Sequence, residues 1–241
     1  MPVMKCLHVI TPVKDSIDLS LQTIEAVMAS RLTVPWTYTV YNDRSTPANT
    51  ARLLEASLRL GFRLVNLSEL TDHPSPNYLL VLQAAQAEAL RAGAGLLIVE
   101  SDVVVRPDTL QRLFDEAARR PDCGMAASVT VDDAGAVNYP YLFARGREGR
   151  DFPTRKHCSF CCSLLTPELL RRFDFHQLDP EKNWHDVTIS HRSLRLGLRN
   201  YLFTTLPVRH RPHSSRPWKQ LKYTHPWKYY WLKLIRRRDK I

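Results

Sequence analysis

Glycine is scarce, eight residues in 241, and none falls in Thr11-Pro-Val-Lys-Asp15, the turn after the first apolar run. That excludes a glycine-rich loop whose backbone amides wrap phosphates there. No apolar run approaches the ~20 residues that span a bilayer. Met1 to Val13 lacks the long apolar segment and small-residue cleavage site of a signal peptide, so the expected location is cytoplasmic. Cysteine is sparse and odd in number, five. In a chain of this length that fits free thiols in a reducing compartment. Acids are nearly absent from the end of the chain: Arg209 to Ile241 holds eleven Lys and Arg against one acid, Asp239, and carries the whole net charge of +10. The sequence therefore divides into a neutral domain, 1–208, and a basic aromatic tail, 209–241. A neutral domain gives no reason to expect nucleic acid as its partner, whereas the tail suits local attachment to something anionic.

What is present is an alternation of strand and helix patterns. Cys6 to Ile10, Trp36 to Tyr41, Phe62 to Leu67 and Leu96 to Val99 read as buried strands. Between them, Asp15 or Ser16 can cap a helix with Ile17, Leu21, Ile24 and Met28 on one face. Ala48 to Leu60 stops at Gly61, and Asn77 to Ala92 stops at Gly93. Pro107 suits a first helical position, ahead of a stripe of Leu110, Leu113, Phe114 and Ala117. The second half offers a long loop, 132–157, a strand at Phe160 to Leu165, a helix opened by Pro167, a helix at Trp184 to Leu196, and a strand at Asn200 to Leu206. The predicted class is α/β: one domain with a mostly parallel, Rossmann-like sheet flanked by helices, and a basic helical appendage. Ligands of such sheets bind at the carboxyl ends of the strands.

Those ends carry the chemistry. The first strand runs into Thr11-Pro12, the second into Asn42-Asp43-Arg44-Ser45-Thr46, and the fourth into Glu100-Ser101-Asp102. Each is also a common turn composition. In extended chain, residues two apart point the same way, so Glu100 and Asp102 are expected to face one site. Two carboxylates attract a hard cation, and Mg²⁺ or Mn²⁺ there would neutralise a diphosphate.

The order V-I-T-P-V-K, Y-N-D-R-S-T and L-L-I-V-E-S-D-V-V-V-R-P-D-T-L resembles family 2 glycosyltransferases of the GT-A fold. The resemblance continues through Phe160 to Asp174, similar to the acceptor-side strand and helix, and through Trp184-His-Asp186, similar to the segment whose Asp is the usual base. It covers about residues 5 to 206. It implies inverting transfer from a nucleoside-diphosphate sugar, a UDP-sugar being favoured, to a hydroxyl of a glycan or lipid-linked acceptor such as a cell-envelope polysaccharide. Thr11, Pro12, Asn42, Asp43, Glu100 and Ser101 would then bind the donor. Asp102 would hold the metal, and Asp186 would be the catalytic base. Asn42 stands where the family has its first Asp, Arg44 replaces a Gly, Glu100 the first Asp of D-x-D, and His185 the Glu before the base. Ala85 and Ala87 stand in place of an Asn-Gly pair.

Other features admit two readings. His157-Cys158-x-x-Cys161-Cys162 has zinc-like spacing, but lacks a second ligand pair; buried thiols in an acceptor-side strand are the alternative. His210 follows the last strand, where related enzymes place a further metal ligand. The bland reading for His210 and His213 is a solvated basic loop. Trp227, Tyr230, Trp231, Leu234 and Ile235 share one helical face among Lys228, Lys233, Arg236, Arg237 and Arg238. That suits peripheral binding to an anionic membrane, or packing on protein. Two rival functions stand beside the transferase. A sugar-phosphate nucleotidyltransferase needs the glycine-rich loop missing here. A non-catalytic module would use the tail for polyanions.

Overall fold

The computed structural model describes residues 4–182, 184–211 and 225–235. They fall into two compact units, Met1–His210 and Arg211–Ile241. The first is a mixed α/β domain of the GT-A-like class, a curled, mostly parallel sheet between two layers of helices.

The strands are β1 (Leu7–Val13), β2 (Trp36–Asn42), β3 (Arg63–Asn66), β4 (Gly95–Val99), β5 (Val103–Val104), β6 (Cys123–Val131), β7 (Phe152–Thr154), β8 (Cys162–Leu165) and β9 (Arg199–His210). Their order is β3-β2-β1-β4-β8-β6-β9-β5, with β7 also on β9. β1 to β4 are mutually parallel, β8 is antiparallel between β4 and β6, and β9 returns parallel to β6.

Side chains alternate across the sheet. Val9, Leu97 and Val99 enter one core cluster, while Ile10, Leu96 and Ile98 enter the other. Helices α1 (Ile17–Met28), α2 (Pro47–Leu60) and α4 (Thr109–Ala118) cover the first face. Helices α3 (Tyr78–Ala92), α5 (Pro167–Arg172) and α6 (His185–Arg195) cover the second. Both faces are sealed, which is why the strands read as unbroken apolar runs. α6 lies close on β6 because residue 124 is glycine: a Cβ there would stand 2.0 Å from Ser193 Oγ.

Two local expectations change. α4 begins at Thr109, not Pro107, because the Thr109 hydroxyl accepts the Arg106 amide and closes a turn ahead of the helix. Ser16 precedes α1 with no capping bond from its side chain, and Asp15 instead accepts the Thr46 amide and the Asn49 side chain at the start of α2. Those bonds, the backbone one foremost, hold the Asp15 carboxyl below its ordinary pKa.

The second unit contributes α7 (Pro226–Ile235). Trp227, Tyr230, Trp231 and Ile235 on it are exposed. His213, Arg236, Arg237, Arg238 and the side chains of Lys233 and Leu234 lie outside the described residues. Among the described residues no helix is long and apolar enough to cross a membrane.

Candidate active site

The carboxyl ends of β1, β2 and β4 lie side by side, and each presents its polar residues differently. On β1, Thr11 is fully buried and its hydroxyl accepts from Tyr38 at 2.9 Å, so its backbone is what remains for a ligand. Pro12 follows, half-buried, opposite Tyr41. At the end of β2 the Asn42 amide donates to Thr50 and Asn66, and its carbonyl accepts the Ser45 amide. Asp43 is buried: Oδ2 accepts from Ser75 Oγ at 2.7 Å and the Asn77 amide at 2.9 Å, and Oδ1 from Asn77 Nδ2 at 2.8 Å. One carboxylate thus fixes the segment that leads into α3. Asp43→Ala should lower stability by about 2–3 kcal/mol, because three donors, two of them buried, lose a charged acceptor. Chemical denaturation checks this, and a loss below about 0.5 kcal/mol would mean that water replaces the carboxylate.

The centre of the site lies past β4. The strand ends at Val99, and the Val103 amide closes a turn on the Glu100 carbonyl. Strand alternation therefore does not bring Glu100 and Asp102 together, as the sequence suggests; the turn does. Half-buried Ser101 lies within that turn. Antiparallel pairing sets Val103 opposite His210, and His210 Nε2 lies 3.5 Å from Asp102 Oδ2. Cys161 Sγ reaches Glu100 Oε2 at 3.3 Å and lies 3.9 Å from His210 Nε2. Burial, then the charges of Asp102 and Asp186, push the Glu100 carboxyl up to about 7.

Asp186 sits in the first turn of α6, where helix amides favour a negative charge. His185 beside it is buried and stacks on Tyr78 at 6.3 Å, and Tyr78 stacks in turn on Phe160. Burial lowers the His185 pKa, so the ring acts as a neutral wedge that fixes the start of α6.

His210 is braced by the long loop. Its Nδ1 is 2.8 Å from the Tyr139 carbonyl, and its own carbonyl accepts from Asn138 Nδ2. Donation from Nδ1 leaves Nε2 as a lone pair facing the Asp102 carboxylate. Two acceptors at that distance require a proton or a cation between them. With no cation, the proton is favoured: burial pulls the His210 pKa down, but Asp102 and Tyr139 outweigh it and raise the balance. Among the described residues no group of three or more His, Cys, Asp or Glu side chains could hold a metal by itself. A divalent ion at Asp102 and His210 would complete its shell with water and ligand oxygens, as hard cations commonly do. The donor set and the surplus negative charge fit such an ion.

The zinc-like spacing does not converge. Cys161 and Cys162 belong to one core cluster and Cys158 to the other. Burial pushes the Cys158 and Cys162 thiols up to about 12, far from thiolate character. Asn138 and Tyr139, which contact His210, and Ser159, whose hydroxyl lies 3.3 Å from Cys161 Sγ, are neighbours of the site that spacing alone does not reveal. Loop length was the signal available for the first two.

No protein-family model matches this chain, and no curated protein sequence matches it. Solved structures do. The mannosyltransferase PcManGT from Pyrobaculum calidifontis, in complex with GDP-Man and Mn²⁺, superposes with a TM-score of 0.62 at 16% identity, over 95% of this chain and 64% of that one. TarS residues 1–349 of S. aureus gives 0.59 at 14% identity, over 85% of this chain and 60% of that one. A mycobacterial protein gives 0.58 at 18% identity, over 90% and 70%. The chain thus spans less than two thirds of the first two, and the likeness is one of fold.

Proposed function

We propose that the protein is an inverting, family 2-like glycosyltransferase that moves a sugar from a nucleoside diphosphate to a hydroxyl of a glycan or lipid-linked acceptor. The observation that carries this reading is the Asp102–His210 pair, its imidazole tautomer set by Tyr139, at the carboxyl edge of a GT-A-like sheet and beside Glu100, which feels the charges of both Asp102 and Asp186. The neighbour solved in complex with GDP-Man and Mn²⁺ supports the class of donor and metal.

In this reading Asp102 and His210 would hold Mg²⁺ or Mn²⁺. Bound there, the ion would supply charge neutralisation for the leaving group. Asp43, Asn42 and the backbone at Thr11 and Pro12 shape the wall for the nucleotide, a UDP-sugar being the first choice to test. Ser101 and Glu100 line the ribose and diphosphate side. Asp186 takes the acceptor proton as its oxygen attacks the anomeric carbon, because a hydroxyl is a poor nucleophile until that proton leaves. Slow release of free nucleoside diphosphate from a donor, with Mn²⁺ and no acceptor, tests the reading. Absence of release across a donor panel, with pyrophosphate formed from a nucleoside triphosphate and sugar phosphate, would establish the nucleotidyltransferase instead.

The tail is proposed to hold the protein at an anionic membrane. On α7 the rings of Trp227 and Trp231 are 89% and 63% exposed, beside the run of bases that ends the chain. Each base contributes roughly 1 kcal/mol near an acidic surface, so six or so acting together give reversible attachment that weakens with salt. Flotation with phosphatidylserine vesicles should succeed at low salt and fail with neutral lipid. Trp227→Ala/Trp231→Ala should make the remaining binding fully salt-sensitive. No flotation at low salt refutes the membrane role.

A further inference from the structure

Beyond the reacting centre, the loop between β6 and β8 forms a cleft of about 260 Å³. Phe143 and Phe152 line it, with Thr154 and Pro153, and three cations point to it: Arg147, Arg155 and Lys156. Several arginines of the domain pair with acid, as in Arg59 with Glu25, Arg63 with Glu88, Arg120 with Glu116 and Arg199 with Asp122. Among the described residues, none of the three cleft cations makes an ion pair; the Arg147 guanidinium lies 5.0 Å from the Phe152 ring and the Lys156 ammonium 4.6 Å from that of Phe143. Rings orient a cation without neutralising it, so its charge stays available.

The nearby acids are engaged otherwise. Asp151 accepts from the Thr205 amide and hydroxyl, and Glu148 from the Gly146 amide. The scaffold is also ordered. Thr204 takes the Arg150 amide and donates to the Arg147 carbonyl, while Phe152 to Thr154 pairs with β9. The cleft connects to the site through aromatic contact. Tyr141, whose hydroxyl accepts the Ser159 amide, meets Phe143 edge-on at 5.9 Å.

We propose that this cleft binds an anionic saccharide chain, by a phosphate or carboxylate on a unit removed from the reacting hydroxyl. The proposal rests on the transferase reading, in that the chain held here is the acceptor. Three unpaired cations, two of them over aromatic faces, suit a sugar ring with a charged substituent. The volume is small against the ~300–1,000 Å³ that encloses larger ligands, so one unit of the chain fits.

The test is fluorescence anisotropy with the full-length protein at low salt, using labelled hexagalacturonate, a phosphorylated mannan oligosaccharide and neutral maltohexaose. One or both charged probes should bind, and the neutral one should not. Which charged probe binds identifies carboxylate or phosphate as the recognised group. Arg155→Gln/Lys156→Gln should weaken that binding about tenfold, the loss of two charge-assisted contacts. Arg236→Gln/Arg237→Gln/Arg238→Gln, which removes tail charge, should weaken it less than threefold. Arg147→Gln alone supplies an independent variant in the cleft, with an expected loss of about threefold. The proposal is overturned by binding that ignores the cleft substitutions, by equal binding of maltohexaose, or by equally tight, cleft-dependent binding of hexathymidylate. Donor hydrolysis is read separately. Cleft-dependent binding without it sinks the acceptor role and the transferase reading but leaves the anion site, whereas hydrolysis with cleft-independent binding sinks the cleft alone.

Discussion

Asp186→Asn should lower turnover by about 100-fold or more while leaving donor affinity within about twofold, the behaviour of a base that acts only as the acceptor proton leaves. The substitution preserves size, and an amide oxygen can keep the 2.9 Å contact with the Val187 amide at the start of α6. The packing that fixes α6, His185 on Tyr78 and Gly124 against Ser193, is untouched. What disappears is the negative charge. That charge is felt across the site, since it is one of the influences that lift Glu100. Initial rates at saturating donor, with donor affinity measured separately, check the prediction. Near-normal turnover would reduce Asp186 to a helix-start residue, and an equal loss in donor affinity would place it on the nucleotide.

The second large effect concerns Asp102→Asn. In the parent protein, Mn²⁺ with a nucleoside diphosphate at a hundred times its dissociation constant should add about 2.7 kcal/mol, or roughly 5–10 °C in Tm for a domain of this size. The Asn variant should lose that metal-dependent gain entirely and keep its baseline Tm within about 2 °C. The reason is local. An Asn amide can donate to His210 Nε2, so the 3.5 Å pair survives as a neutral hydrogen bond, but the anionic oxygen is gone and the imidazole lone pair is occupied. His210→Ala should weaken the gain without abolishing it, since the carboxylate remains. Unchanged metal dependence in Asp102→Asn would refute this site for the ion.

Much of the architecture was legible because both faces of the sheet are sealed, so β1, β2 and β4 stood out as apolar runs with polar ends. The glycines at the ends of α2 and α3 were equally readable, Gly61 and Gly93 taking positive φ values of 82° and 62°. The site was legible only where one strand end sufficed. That Thr11 faces inward follows from its place two residues from Val9 and Val13, but its partner Tyr38 lies on another strand. Asp43 reads as a ligand-facing acid until Ser75 and Asn77 are brought to it by the loop. The bracing of His210 by Tyr139 and Asn138 depends on how residues 132–157 fold back, and no local periodicity encodes that. β7, three residues within the same loop, gave no pattern of its own.

The placement of β9 has a consequence for how the protein is made. This strand pairs with β6, β5 and β7 at once, and its last residue is His210. During synthesis, β1 to β4 and their helices can assemble once the first hundred or so residues have emerged, since all their mutual pairings lie within residues 7–99. The edge of β6 stays open until the chain beyond residue 199 emerges, and the partner of Asp102 arrives with the last residue of β9. Long-range pairing of this kind is slow and leaves strand edges exposed to aggregation meanwhile. The Asp102 half of the Asp102–His210 pair therefore exists on the nascent chain well before the imidazole half, and the complete pair forms only when the sheet closes.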